Sequence, residues 1–309
     1  MSIMALFKKR ETLVQNIAYM AIMAAINVIF VLMTALLPPL MFVMVFVLPL
    51  TSAVVTLFCK KRYFPIYAIA TVGLCLLTTS AIYIYDTFFY VIPSLITGFV
   101  FGLLIEKKVP AIYIIVSSTA LQYLLSFLTF LTLDLILPEI NFIDALLSIF
   151  GLSDFAFKDC FIHLFLYTLA SIQTVFAYFI LKKEVKKLGF EVVLDVKLHY
   201  LLFAIGIFID VLALIMVFVY PPLVYVFVVM NLPFMIYEIV SLVYSRKTLI
   251  YILLVATLVV SIIIFVACYT LIPHPLGVIL LAPMQVLYGG IYFANNLFLN
   301  KTKNDKIDN

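Results

Sequence analysis

The placement of its nineteen lysines and arginines constrains this chain more than any other feature. They come in short clusters, separated by apolar stretches long enough to cross a bilayer once or twice. The clusters are Lys8, Lys9 and Arg10; Lys60, Lys61 and Arg62; Lys107 and Lys108; Lys182, Lys183, Lys186, Lys187 and Lys197; Arg246 and Lys247; and Lys301, Lys303 and Lys306. A crossing helix needs about 20 apolar residues. Runs bounded by charge or proline predict ten such helices, at 12–37, 40–59, 63–82, 87–105, 110–135, 160–181, 199–220, 223–244, 248–271 and 276–298. Ten crossings put eighteen of the nineteen cations on one side and leave Lys158 alone on the other. The positive-inside rule then places both termini in the cytoplasm. Eight or nine crossings would break this regularity. The expected class is all-α: a polytopic transmembrane bundle of about ten spans, multi-pass in the cell (inner, plasma) membrane, with lipid as its solvent.

Composition agrees. Hydrophobic residues make up 67% of the 309, charged residues 11%, and mean hydropathy is +1.28. A soluble core of this size could not hide so much apolar surface. The net charge of +4 comes from the loop clusters and is no nucleic-acid surface. Cys59, Cys75, Cys160 and Cys268 form no ligand spacing, so neither a metal nor a disulfide is expected. There is no HExxH, GxSxG or Walker loop and no nucleotide fingerprint. No catalytic residue or cofactor is therefore assigned, and any ATP-driven step would need another subunit.

One phrase occurs twice. Asn27 stands eleven residues before Pro38-Pro39, and Asp210 stands eleven residues before Pro221-Pro222. Pro49 and Pro233 follow eleven residues after Pro38 and Pro222. Ala21-Ile22 matches Ala204-Ile205, and Lys60-Lys61-Arg62 matches Ser245-Arg246-Lys247 with a small shift. Pro93 and Gly98 have looser partners in Pro283 and Gly289. This pattern predicts a parallel repeat of helices 1–4 in helices 7–10, an arrangement that can enclose a site at mid-membrane. Chance similarity between apolar segments is the alternative. The predicted organisation is a six-helix unit over 1–182, a basic amphipathic linker over 183–198, a four-helix unit over 199–300 and a cytoplasmic tail over 301–309.

Asp210 is the most informative residue, because a carboxylate at mid-span is costly unless it is paired, protonated or facing water. It is expected to face the protein interior near Asn27. Asn231, Gln285 and Glu238 join these two as candidates for binding a solute or ion, with Gln173 a further polar group in helix 6. Hydrogen bonding between helices is the plainer role for each. Among the outer acids and tyrosines, Tyr85, Asp86, Asp134 and Glu139 are candidates for a vestibule favouring cations or stacking solutes. An outer segment from Asn141 to Phe150 reads as a short amphipathic helix. In helix 1, Ala18, Ala21 and Ala25, with Ala24 beside them, make a small-residue face suited to close helix packing. A seam within the chain is the expected use of that face, and docking on a partner is the alternative.

The alanine-faced first helix resembles that of the S components of energy-coupling-factor vitamin transporters. A closer resemblance is to the YybS-like family of bacterial membrane proteins. It is carried by Leu48-Pro49-Leu50; Ile92-Pro93-Ser94 with Gly98, Gly102 and Glu106-Lys107-Lys108; Ile140-Asn141; Lys186 to Phe190; and Gln285-x-x-x-Gly289. That family has about eight spans, and no vitamin-pocket motif carries over. The resemblance implies a transporter-like build, with an energy-coupling subunit and its ATPases as partners. Two readings of function result. One is a solute-binding or transport subunit with a cavity between the helix repeats. The other is a non-catalytic membrane scaffold that binds partners.

Overall fold

Apolar runs with no water to satisfy their backbone must pair their own N–H and C=O groups, and a helix does this within one segment. The computed structural model describes residues 10–37, 41–78, 87–136, 144, 147–148, 158–187, 196–244, 248–269 and 281–304. Among these there is no strand, and every predicted run carries a helix. In chain order they are α1 (Leu13–Leu36), α2 (Met41–Phe58), α3 (Phe64–Thr78), α4 (Ile92–Glu106), α5 (Ala111–Ile136), α6 (Lys158–Lys187), α7 (Val196–Val219), α8 (Pro221–Met230), α9 (Leu232–Tyr244), α10 (Thr248–Tyr269) and α11 (Leu281–Asn304). The stretches Leu13–Thr34, Ala111–Thr132, Phe161–Lys183 and Leu223–Val243 are long and apolar enough to cross a membrane. This is the signature of a membrane protein. Large apolar side chains cover the outward faces as well: Val14, Ile22 and Ile29 in α1 and Leu249, Ile252, Val255 and Ile263 in α10 are exposed.

Three details depart from the expected boundaries. A single turn of π-helix, Thr87–Val91, leads into α4. Helix α6 runs on through Lys182–Lys187, because Lys and Glu are good helix formers in water. The run 223–244 is broken at Asn231, two residues before Pro233. Proline has no N–H and its ring crowds the preceding turn, so a helix meeting it tends to break just upstream.

The chain forms two compact units. One comprises Met1–Ile140 with Ile172–Leu194, the other Asn141–Ser171 with Asp195–Asn309. In the first, α2 packs most extensively against α4, and α1 lies against α2 and α3. The α2–α4 approach is close because Gly98 and Gly102 sit one turn apart: a Cβ on Gly98 would lie 2.3 Å from the Pro49 carbonyl oxygen, and one on Gly102 2.6 Å from Thr56 Cβ. Ser52 Oγ donates to the Leu95 carbonyl across this seam, at 2.6 Å.

Helix α1 begins with a capping box between Thr12 and Gln15. Its neighbour Asn16 accepts from the Lys60 N–H at 2.7 Å, and the Arg10 N–H donates to the Phe58 carbonyl at 2.8 Å. Lys61 pairs with Glu106. These contacts gather the basic segments at Arg10, at Lys60–Arg62 and at the end of α4 on one end of the first unit. In the second unit, α7 packs on α8 and α11, and α11 also contacts α9 and α10.

Candidate functional site

Polar side chains inside an apolar bundle either satisfy one another or remain available to a ligand. Several polar positions of the first unit take the former course, while the Thr87 and Ser118 hydroxyls there are buried without a partner. Asn27 Nδ2 donates to Tyr67 Oη at 2.8 Å, and its Oδ1 accepts from Thr51 Oγ1 at 2.7 Å. Both ends of the amide are thus used, which ties α1 to α2 and α3. Further along, Thr97 Oγ1 donates to Gln122 Oε1 at 2.6 Å, Gln173 Nε2 to Ser94 Oγ at 2.9 Å, and the Thr119 and Thr174 hydroxyls meet at 2.6 Å. These pairs link α4, α5 and the second half of α6 by hydrogen bonds of the kind that hold membrane helices together.

The second unit takes the other course. Asp210 in α7, Asn231 at the α8–α9 break, Glu238 in α9 and Gln285 in α11 are each buried, with 2–6% of their surface exposed. All four line one cavity, with Phe203, Gly206 and Gly289 completing its wall. The volume open to the centre of a water-sized sphere is about 20 Å³. Asn231 Nδ2 donates to Asp210 Oδ1 at 3.0 Å and to the Gly206 carbonyl at 2.9 Å. Gln285 Nε2 donates to the Val228 carbonyl at 2.9 Å, in the last turn before the helix break. A break in a membrane helix needs such a partner, since no water is at hand to satisfy the displaced backbone. The remaining atoms of the set have none: Asp210 Oδ2, Asn231 Oδ1 and Gln285 Oε1 are buried without a hydrogen-bond partner. Gly289 makes room for the Phe203 ring and for Glu238, because a Cβ there would stand 3.0 Å from Phe203 Cδ2 and 3.3 Å from Glu238 Oε2. No lysine, arginine or histidine lines this cavity among the described residues.

Four of the five binding candidates therefore share one site, with Asp210 at its centre. The fifth, Asn27, belongs to a separate and fully bonded cluster in the other unit. Of the vestibule candidates, Asp134 lies in the last turn of α5, while Tyr85, Asp86 and Glu139 fall outside the described residues, as does most of the segment from Asn141 to Phe150. Ala18, Ala21 and Ala25 are exposed on α1 and Ala24 is buried. The close approach expected of alanines is made by Gly98 and Gly102. Cys59 and Cys75 are buried. Gly206 and Met235 had no signal in the sequence as site residues, since an apolar wall looks like any other apolar helix face.

Comparison of the chain with protein-family models, with curated proteins and with solved structures finds no match.

Proposed function

We propose that this chain is a membrane transport protein or solute-binding subunit in which the acidic cavity around Asp210 is the ion-linked element. One observation carries the reading: two carboxyl side chains and two amides converge on a water-sized space in an apolar helical unit, and three of their oxygens are left unbonded. Leaving a buried acceptor unbonded costs about 1–3 kcal/mol, and a charged side chain at mid-membrane costs about 3 kcal/mol or more. A purely structural cluster would pair its acceptors, as Asn27, Thr51 and Tyr67 do. The scaffold reading accounts for that first cluster but leaves the second unexplained.

The threading that goes with this reading has ten crossings and both termini in the cytoplasm. The gathering of Arg10, Lys60–Arg62 and Glu106 at one end of the first unit supports it. The cavity has room for about one water-sized sphere, so in this reading it serves a proton, a water or an ion, and the solute binds elsewhere. A broken helix beside a mid-membrane acid is a design used by ion-coupled carriers.

The test is thermal unfolding of the purified full-length chain against a panel of small primary amines and neutral aromatic solutes, for wild type and Asp210→Asn. A solute that stabilises wild type and loses its effect in the folded variant supports transport, because a bound ligand stabilises by mass action. Stabilisation of wild type by none of them favours the scaffold.

A further inference from the structure

We infer that the cavity beside Asp210 is a binding site for a single alkali-metal cation, held by side-chain oxygens of Asp210, Asn231, Gln285 and Glu238. The inference rests on the transport reading for the use made of the ion. The ligand chemistry follows from the side chains themselves.

The amide orientations are settled by their donors. Asn231 Nδ2 is spent on Asp210 Oδ1 and the Gly206 carbonyl, and Gln285 Nε2 on the Val228 carbonyl. Turning either amide over would aim an oxygen at other oxygens, so the arrangement with Asn231 Oδ1 and Gln285 Oε1 unbonded is the favourable one. Together with Asp210 Oδ2 they make three buried acceptors without a donor. A proton on Asp210 can bridge two of them, and a water can donate to two. A cation satisfies all three at once, and the Glu238 carboxyl adds a fourth ligand residue on the same wall.

Size and charge narrow the choice. The space has room for about one water-sized sphere, which suits one ion stripped of most of its hydration shell. Magnesium sheds water reluctantly and demands an octahedral shell, while calcium takes about 6–8 oxygens, more than four side chains supply without bidentate carboxylates. No cationic side chain among the described residues offsets Asp210 and Glu238 on the cavity wall, and an uncompensated buried charge is strongly unfavourable. One alkali cation, with a proton on one of the two carboxyls, makes the site neutral. The oxygens are hard ligands, and the break at Asn231 places one of them where the helix ladder is interrupted.

The experiment is equilibrium binding of radiolabelled sodium to the full-length chain in detergent micelles, with choline replacing sodium at constant ionic strength. Wild type should bind one sodium saturably, and its unfolding temperature should rise with the logarithm of sodium concentration above the dissociation constant. Asp210→Asn and Gln285→Leu should each weaken binding about tenfold or more, about 1.4 kcal/mol per decade. Folding of each variant is checked by cooperative melting in choline. Absence of saturable sodium binding to folded wild type overturns the inference, and needs no variant. So does sodium affinity unchanged in both folded variants, or magnesium binding as tightly as sodium. Sodium binding with no solute bound by wild type would retire the transport reading and leave the ion site standing. Solute binding indifferent to sodium would do the reverse.

Discussion

Substituting Gly98 by alanine tests whether the α2–α4 seam is as close as the backbone geometry requires. The added Cβ would stand 2.3 Å from the Pro49 carbonyl oxygen and 2.6 Å from Ser52 Cβ. Both neighbours belong to the rigid part of α2, so no flexible side chain can swing away. To restore a contact of 3.4 Å, α4 must retreat by about 1 Å. That retreat stretches the 2.6 Å bond from Ser52 Oγ to the Leu95 carbonyl beyond useful length. Overpacking costs about 1–3 kcal/mol, and the lost interhelical bond about 0.6 kcal/mol, rising to about 1.7. Alanine returns up to about 1 kcal/mol of helix propensity. Gly73→Ala is the matched control, since a Cβ there meets nothing within 4 Å. It keeps the propensity gain and pays no steric cost. The two variants should therefore differ by about 2–4 kcal/mol, with Gly98→Ala the less stable. Reversible unfolding in mixed micelles, followed by circular dichroism over a denaturing-detergent titration, measures the difference. Equal stability of the two variants would refute the seam geometry.

Three further outcomes are expected. Tyr67→Phe should destabilise the first unit by about 1 kcal/mol, because Asn27 Nδ2 loses its acceptor; the same titration reads it. Thr119→Val or Thr174→Val alone should cost about 0.6–1.7 kcal/mol, whereas the double variant should recover part of that loss, giving a non-zero coupling in a double-mutant cycle. A cysteine introduced at Ser153 should react with a membrane-impermeant thiol reagent added outside intact cells, and cysteines at Lys61 and Lys303 should not. Outside labelling at either of the latter two would rule out the ten-span threading.

How much of this was legible beforehand differs between helices and site. The helices follow from local chemistry: an apolar run bounded by Lys or Pro has few other ways to satisfy its backbone, so the runs and the observed elements agree to within a turn at most ends. The exceptions have local causes too. Pro233 interrupts its run just upstream, and Lys182–Lys187 continue a helix past the last apolar residue. Helix partners are another matter. In lipid a small residue on a face says that a close approach is allowed, and says nothing of which face will use it. Ala18, Ala21 and Ala25 and the pair Gly98 and Gly102 were equally eligible. Within the first unit the second pair meets another helix, lying opposite Pro49, Ser52, Ala53 and Thr56.

The polar residues carry the same lesson one step further. Asn27 and Asp210 stand at matching places in the two phrases, eleven residues before a proline pair. The duplication of position did not bring duplication of role. An asparagine has both a donor and an acceptor, so Thr51 and Tyr67, two hydroxyls, can satisfy it completely. An ionised aspartate offers acceptors only. Its single amide partner, Asn231, saturates Oδ1 and leaves Oδ2 open, and in doing so turns its own Oδ1 toward the same need. Every hydrogen bond formed around Asp210 therefore moves the shortage of donors along without removing it. Gln285 does not relieve that shortage, because its Nε2 donates to the Val228 carbonyl, which also accepts from the Asn231 N–H at 3.3 Å. The deficit that remains is what a cation would fill. Replacing Asp210 with asparagine supplies the missing donor, so Asp210→Asn should melt at or above the wild-type temperature in choline while binding sodium poorly. Melting well below wild type, with sodium affinity retained, would show that the carboxylate holds the unit together and that its open oxygen takes no ion.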